Sequence, residues 1–333
     1  MRTAVAPGQT WRMLHLRIMA PTELTDDVVS ILESDDAVSG LAVLRGSALR
    51  PKGDIVLADL AREGANDLLV RLRATGLHHR GSIELEPVHT WMSMSGYRAE
   101  LRTPGYSADS VVWADVTQRS YEETELNWTY LSFMTLATAL ASIAIVVNSQ
   151  ILVIGAMVLG PEFGAIAALG VALVRRRAAL FGRAVATLAM GFGAAIAITF
   201  ALVLIGRLLG WITEDVVTGD RPETSFIYTP DKWSFIVALI AAAAGVLSLT
   251  SSKSGALVGV FISVTTVPAA GNIALGLAFG TGSAIWGSAL QLVVNLAGMA
   301  LAGWATLALQ AAVWSRVSLR RARAEARARR RML

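Results

Sequence analysis

The chain has 333 residues, 54% of them hydrophobic and only 16% charged, with 29 Lys and Arg against 25 Asp and Glu for a net charge of +4. Soluble globular chains carry about 25% charged residues, so a wholly soluble protein is excluded. The chain has no cysteine, which excludes disulfides, thiol catalysis and Cys-zinc sites. Its four histidines, His15, His78, His79 and His89, show no metal-ligand spacing, so no metal site and no cofactor is expected.

The charge is unevenly placed. Residues 1–125 have a soluble composition, 128–312 are almost free of charge, and 313–333 form a basic tail. This pattern predicts a soluble domain attached to a polytopic membrane domain. The first ten residues read as a disordered N-terminus. The stretch 11–20 is interrupted by Arg12, His15 and Arg17, so no signal peptide is expected and the N-terminus should start in the cytoplasm.

Within the soluble part, 11–18 alternates apolar and polar residues at the strand period. Pro21, Thr22, Asp26 and Asp27 open a helix that runs to about Ser34. Two strands follow over 37–44 and 54–60, joined through Gly46, Pro51 and Gly53. A second amphipathic helix spans 66–75, and 81–88 alternates again. The order βαββαβ over 11–90 is that of an α+β ferredoxin-like domain. Such a module either senses an unknown small ligand or serves assembly, and fold alone does not choose between them. No Gly-rich phosphate cradle and no aromatic pair for RNA is present, so nucleic acid is not an expected partner.

Residues 91–127 read as a linker and juxtamembrane helix, broken at Pro104-Gly105 and capped by Ser107 or Asp109. Glu122, Glu123 and Glu125 then precede Trp128 and Tyr130, aromatic residues suited to a membrane interface. Either one continuous helix enters the first span, or an interfacial helix anchors the linker. About 20 apolar residues cross a bilayer, and six spans are predicted over 128–147, 150–174, 184–209, 233–250, 255–279 and 284–312. The positive residues Arg175, Arg176, Arg177, Arg183, Lys253 and the tail then fall on one side, which places both termini in the cytoplasm. Arg207 is the exception, expected to snorkel from a helix end.

The second span is interrupted by Gly160-Pro161-Glu162-Phe163-Gly164. Proline removes a helix hydrogen bond and glycine weakens the helix, so this span should be broken and covered by protein or a water-filled cavity. The fifth span repeats the pattern. Pro161-x-x-Gly164-x-Ile166-Ala167 corresponds to Pro268-x-x-Gly271-x-Ile273-Ala274, each after a polar cluster. Opposite directions of the two spans suggest a 3+3 inverted repeat, with a transporter site where the interrupted helices meet. Coincidence among small residues is the competing explanation.

Glu162 is the one carboxylate inside a predicted span, and intramembrane ionisable groups are functional-site hypotheses by default. It either binds a cation or proton, or satisfies the N–H groups of a half-helix beginning at Pro161. Asn148, Gln150, Thr265, Thr266, Asn272, Gln291 and Asn295 are further polar candidates, although such residues often only hold helices together. Gly164 and Gly271 most simply allow close packing. In the tail, Arg320, Arg321, Arg323, Arg327, Arg329, Arg330 and Arg331 are placed to bind anionic lipid headgroups.

The run Asn148-Ser149-Gln150 through Gly155-Ala156-Met157 to Pro161-Glu162-Phe163-Gly164 resembles the signature of domain-of-unknown-function family 389. The likeness covers about 120–312. Many members have Pro at the position of Ala165 and an apolar residue at that of Glu162, so the resemblance does not extend to Glu162 as a family-wide residue. It implies a prokaryotic membrane protein without implying a substrate. Arginine far outnumbers lysine, which fits a GC-rich bacterial genome and a multi-pass protein of the bacterial cytoplasmic membrane. The expected function is transport or channelling of an ion or small solute at the broken helices, gated or assembled by the soluble domain. A non-transporting sensor or oligomeric scaffold is the alternative. A homo-oligomer is expected in either case, and no nucleophile–base set points to an enzyme.

Overall fold

The computed structural model describes residues 13–88, 90–103, 110–219, 221, 223–224, 227, 232–250 and 266–332, with the backbone alone at 232–234 and 314–332. The disorder expected for 1–10, the caps at Ser107 and Asp109, Thr265 and the arginine side chains of the tail lie outside the described residues. The chain divides into two compact units that change over at Ala114–Asp115 and back at Gln310–Ala311, with Thr250 also grouped in the first.

The first unit carries an antiparallel sheet of β1 (Met13–Ala20), β2 (Val38–Leu49), β3 (Lys52–Ala61) and β4 (Ser82–Val88), in the order β2-β3-β1-β4. Helices α1 (Thr22–Glu33) and α2 (Ala65–Ala74) complete the expected βαββαβ order, and a short α3 (Leu77–Arg80) follows α2. Alternation along β1 sends Leu14, Leu16, Ile18 and Ala20 into a core with Val28 and Leu32 of α1 and Leu68 and Leu72 of α2. His15 and Arg17 point to the other face, where they meet Asp59 and Glu84 across the register. Such part-exposed pairs contribute little stability.

Gly46 is not a connecting turn as the sequence suggested. It lies inside β2 at φ +66°, where the β2–β3 register shifts between Leu44 and Ala48. A bulge needs the same left-handed glycine that a turn does. The bulge aims the Gly46 N–H at the buried Asp54 carboxylate, 2.7 Å away, and the Thr25 hydroxyl donates to the same group at 2.7 Å. These two donors, Gly46 first, hold the Asp54 carboxyl below the usual carboxylate range. A carboxyl depressed in the fold adds stability above its unfolded value, near 3.9, and that stability is lost as pH falls through the folded value. Asp54→Asn is therefore expected to be less stable at about pH 7 and to flatten the acid limb towards about pH 3 in denaturant titrations.

The helix expected after Pro104-Gly105 is α5 (Trp113–Glu123), and a further helix, α4 (Met94–Arg102), precedes it. The Ser93 hydroxyl caps α4 by accepting from Gly96 N–H. No continuous helix enters the first span. The chain leaves helical form after Glu123, and α6 (Trp128–Val146) starts afresh with Asn127 Oδ1 accepting from Tyr130 N–H at 2.8 Å. The Thr187 hydroxyl donates to Thr124 O at 2.7 Å and fixes this corner.

The second unit continues with α7 (Gln150–Leu159), α8 (Glu162–Arg175), α9 (Ala178–Leu208), α10 (Glu214–Thr218), α11 (Lys232–Thr250, as far as Leu249), α12 (Thr266–Phe279) and α13 (Gly282–Met332, as far as Gln310). Among the described residues, α6, α9 and α13 over Gly282–Val313 are long and apolar enough to cross a membrane. The α7–α8 pair makes a fourth candidate, bent by 56° at its break. The fourth and fifth expected spans correspond to the shorter apolar helices Phe235–Thr250 and Thr266–Phe279, so three to four of the six expected spans are long enough. Residues 255–265, needed for the full fifth span, lie outside the described residues.

Arg207 does not simply snorkel. From the last turn of α9 its guanidinium donates to Ala278 O and lies 4.7 Å from the Phe279 ring centroid. A cation at the C-terminal end of α12 completes carbonyls left without helical partners.

Candidate functional site

The α7–α8 break follows from its residues. α7 starts on the Ser149 cap, runs through an apolar stretch and stops at Gly160, and Pro161 takes the N-cap position of α8. Glu162 is thus the first residue of α8, where an N-terminal carboxylate meets unpaired N–H groups and the positive helix end. Glu162 is nevertheless 7% exposed. Its carboxylate folds back over Gly160, so that a Cβ at Gly160 would stand 2.2 Å from Glu162 Oε2 and 2.8 Å from Val267 Cγ2.

The partner element is α12. Thr266, its first described residue and wholly buried, donates its hydroxyl to Glu162 Oε1 at 2.8 Å. Pro268 lies two residues further along α12. The break and α12, far apart in sequence, are therefore brought together at Glu162, Thr266 and Val267. Glu162 Oε2 is buried without a hydrogen-bond partner among the described residues. Burying an ionised carboxylate costs much more than one hydroxyl returns, so this oxygen is the chemically unfinished atom of the site.

Two neighbours were not picked out as site residues from the sequence. Tyr130, read as an interfacial aromatic, is 7% exposed, and its Oη is also buried without a partner among the described residues. Its ring lies on α9, where a Cβ at Gly191 would come within 2.7 Å of Tyr130 Cε1. The hydroxyl lies within electrostatic reach of both Glu162 and Glu123. Glu123, at the end of α5, brings Oε2 to 2.1 Å from where a Cβ on Gly164 would stand. Covering of its carboxylate, and then the Glu122 charge, raise Glu123 above the ordinary carboxylate range although the residue as a whole is exposed. The signal available in sequence was the spacing of Trp128 and Tyr130. Two residues apart on a helix, they face different ways, and Trp128 is 83% exposed.

The other candidates gather elsewhere. Gly271 lies against α6, where the Ser142 hydroxyl donates to Gly271 O at 3.1 Å. Asn272 is buried and donates from Nδ2 to the Ser288 hydroxyl of α13 at 2.8 Å, and Gln291 and Asn295 are buried on the same helix. These contacts hold helices together. Asn148, in the left-handed region at φ +50°, accepts from the Thr224 hydroxyl at 3.2 Å. Gln150 is exposed at the start of α7, the end remote from Glu162. Among the described residues, no group of three or more His, Cys, Asp or Glu could hold a metal ion.

Residues 157–301 match the family model described as Domain of unknown function (DUF389), the family suggested by the sequence signature. The matched stretch contains α8, α9 and α12 and both prolines of the site. No curated protein and no solved structure matches the chain.

Proposed function

From the premise of a membrane chain that carries a DUF389 domain, we propose that this is an integral membrane transport protein or channel for an ion or small solute, working at the α7–α8 break. One observation carries the reading: a buried carboxylate, with one oxygen unpartnered among the described residues, lies where a bent apolar helix pair meets Thr266 of α12. A static anchor gains nothing from that arrangement, because a buried ionisable group is expensive unless it has work to do. The reading includes six spans in two inverted halves of three, both termini cytoplasmic, and a soluble unit that gates or assembles the membrane part. Homo-oligomers and anionic lipid at the arginine tail belong to the same reading.

Purified full-length protein in liposomes, loaded in turn with inorganic cations, anions and small neutral solutes, tests it. Flux above that of protein-free liposomes for at least one class is the expected result. Well-folded protein that passes none of them, yet associates through its membrane helices, sinks the transport reading in favour of a scaffold.

A further inference from the structure

We propose that α4 is a membrane-surface helix that seats the soluble unit on anionic lipid headgroups. The inference goes beyond transport, since it needs a chain embedded in lipid and nothing passing through it.

Helical spacing sorts the residues of α4 into two faces. Gly96, Ala99 and Glu100 are buried, and the helix packs against β2 and β3. Met94, Arg98, Leu101 and Arg102, at intervals of three, four and seven, share the opposite face, and all four are exposed. Met94 is 68% and Leu101 62% exposed, and Met92, just before the helix, is 97% exposed. Apolar side chains this open to water, interleaved with arginines, are the pattern of a helix lying in a bilayer interface. The apolar groups enter the acyl boundary while the cations meet headgroups.

The face is held in place at both ends. The Ser93 hydroxyl accepts from Gly96 N–H at 3.2 Å. The Trp91 ring covers Gly96 so closely that a Cβ there would stand 2.8 Å from Trp91 Cζ3. At the other end the buried Thr103 donates its N–H and its hydroxyl to Ala99 O, at 3.0 and 2.8 Å. The exposed side chains thus belong to a packed helix and not to a frayed end.

Charge decides the occupant. Among the described residues, Arg98 and Arg102 belong to no ion pair. The one acid on α4, Glu100, is turned inward at 4% exposure. A two-fold contact with a second copy would bring these uncompensated arginines towards their own counterparts, and like charges so placed oppose association. An anionic lipid surface answers the arginines and the apolar residues together. The chain also keeps such a surface within reach. Asn66 donates from Nδ2 to Val111 O at 2.6 Å and accepts from Trp113 N–H at 3.0 Å, and Arg62 donates to Ser110 O at 2.9 Å. Only residues 114–127 then separate this pinned chain from α6, a reach of about 30 Å at most.

Because the chain has no cysteine, one spin label at a time can be placed on the full-length protein. The test compares Met94→Cys and Leu101→Cys with Val70→Cys on α2, which is 66% exposed. Power saturation is read in nanodiscs of phosphatidylcholine with phosphatidylglycerol, and of phosphatidylcholine alone. With phosphatidylglycerol present, the labels of Met94→Cys and Leu101→Cys should meet lipid-dissolved oxygen more than a water-soluble nickel chelate, and that of Val70→Cys the reverse. Arg98→Gln and Arg102→Gln, added singly, should each lower the equilibrium constant for lipid contact about fivefold. Phosphatidylcholine alone should weaken contact in the same direction. Neither arginine has an ion-pair partner to lose among the described residues, so the melting temperature should not move. The proposal is overturned if the labels on α4 are as open to nickel as that of Val70→Cys. It is also overturned if they are shielded from both reagents and couple between copies, which assigns the face to a subunit contact. Lipid contact that survives Arg98→Glu combined with Arg102→Glu overturns it too. None of these outcomes bears on flux, so the transport reading stands or falls separately.

Discussion

Glu162→Gln is expected to abolish flux while leaving the protein folded. Glutamine has nearly the same shape and keeps a carbonyl oxygen for the Thr266 hydroxyl, which donates to Glu162 Oε1 at 2.8 Å. What it loses is the second carboxylate oxygen, already without a partner among the described residues. With one hydrogen bond kept and no paired charge broken, the change in stability should stay within about 1 kcal/mol. Flux should nevertheless fall by at least about a hundredfold, because the amide neither binds nor releases a proton near neutral pH. Glu162→Leu makes the contrast, since it strands the buried Thr266 hydroxyl and should cost about 1–3 kcal/mol of stability as well. Flux from reconstituted vesicles, read beside thermal melting in detergent, separates the two effects. A Glu162→Gln protein that transports normally would reduce the carboxylate to a helix cap.

Gly271→Leu is expected to prevent folding of the membrane unit. A Cβ at Gly271 would already stand 3.0 Å from Ala141 Cβ, 3.0 Å from Ser142 N and 3.1 Å from Thr138 O. Two of those three atoms belong to the α6 backbone, which cannot rotate aside as a side chain can. The Ser142 hydroxyl bond to Gly271 O depends on the same close approach. Adding a whole leucine forces α6 and α12 apart and disrupts the interdigitation around Ala137, Ala141, Ala156 and Val267. Overpacking usually costs about 1–3 kcal/mol. Here the obstacle is backbone, so about 3 kcal/mol or more is expected, enough to show as lost monodisperse protein after solubilisation. Gly271→Ala should melt lower but survive. A leucine variant with the parent melting temperature would mean that the helices do not approach so closely.

Much of the fold was legible because its causes are local. Alternation over 11–18 and 81–88 marks strands whatever surrounds them, and Gly160-Pro161 must break a helix in any setting. Gly46 misled because the left-handed conformation serves turns and bulges alike, and only the Leu44–Ala48 register shift tells them apart. The site divides in the same way. Glu162 was readable as a carboxylate in an apolar run, and Thr266 was among the candidates as a polar residue within an apolar span. Tyr130 and Glu123 were not readable as members. The three glutamates at 122, 123 and 125 look alike in sequence, and Glu123 differs only in meeting Gly164, a contact set by tertiary packing. Asn148 and Gln150 were grouped with Glu162 because they share its segment. α7 keeps them apart, since its ten residues rise about 15 Å.

That rise has an electrical consequence. Fifteen ångströms is about half of a hydrocarbon core about 30 Å thick, so a break at the end of α7 sits near mid-depth if α7 begins at one face. Carrying one elementary charge across the whole membrane is worth about 2.3 kcal/mol per 100 mV. On the transport reading, a unit charge that stops at Glu162 would have crossed about half of that voltage, so its occupancy would carry about 1 kcal/mol per 100 mV. On the transport reading, the bend would make the occupancy of the Glu162 site respond to the membrane voltage, shifting several-fold as the membrane polarises even when the solution on both sides is constant.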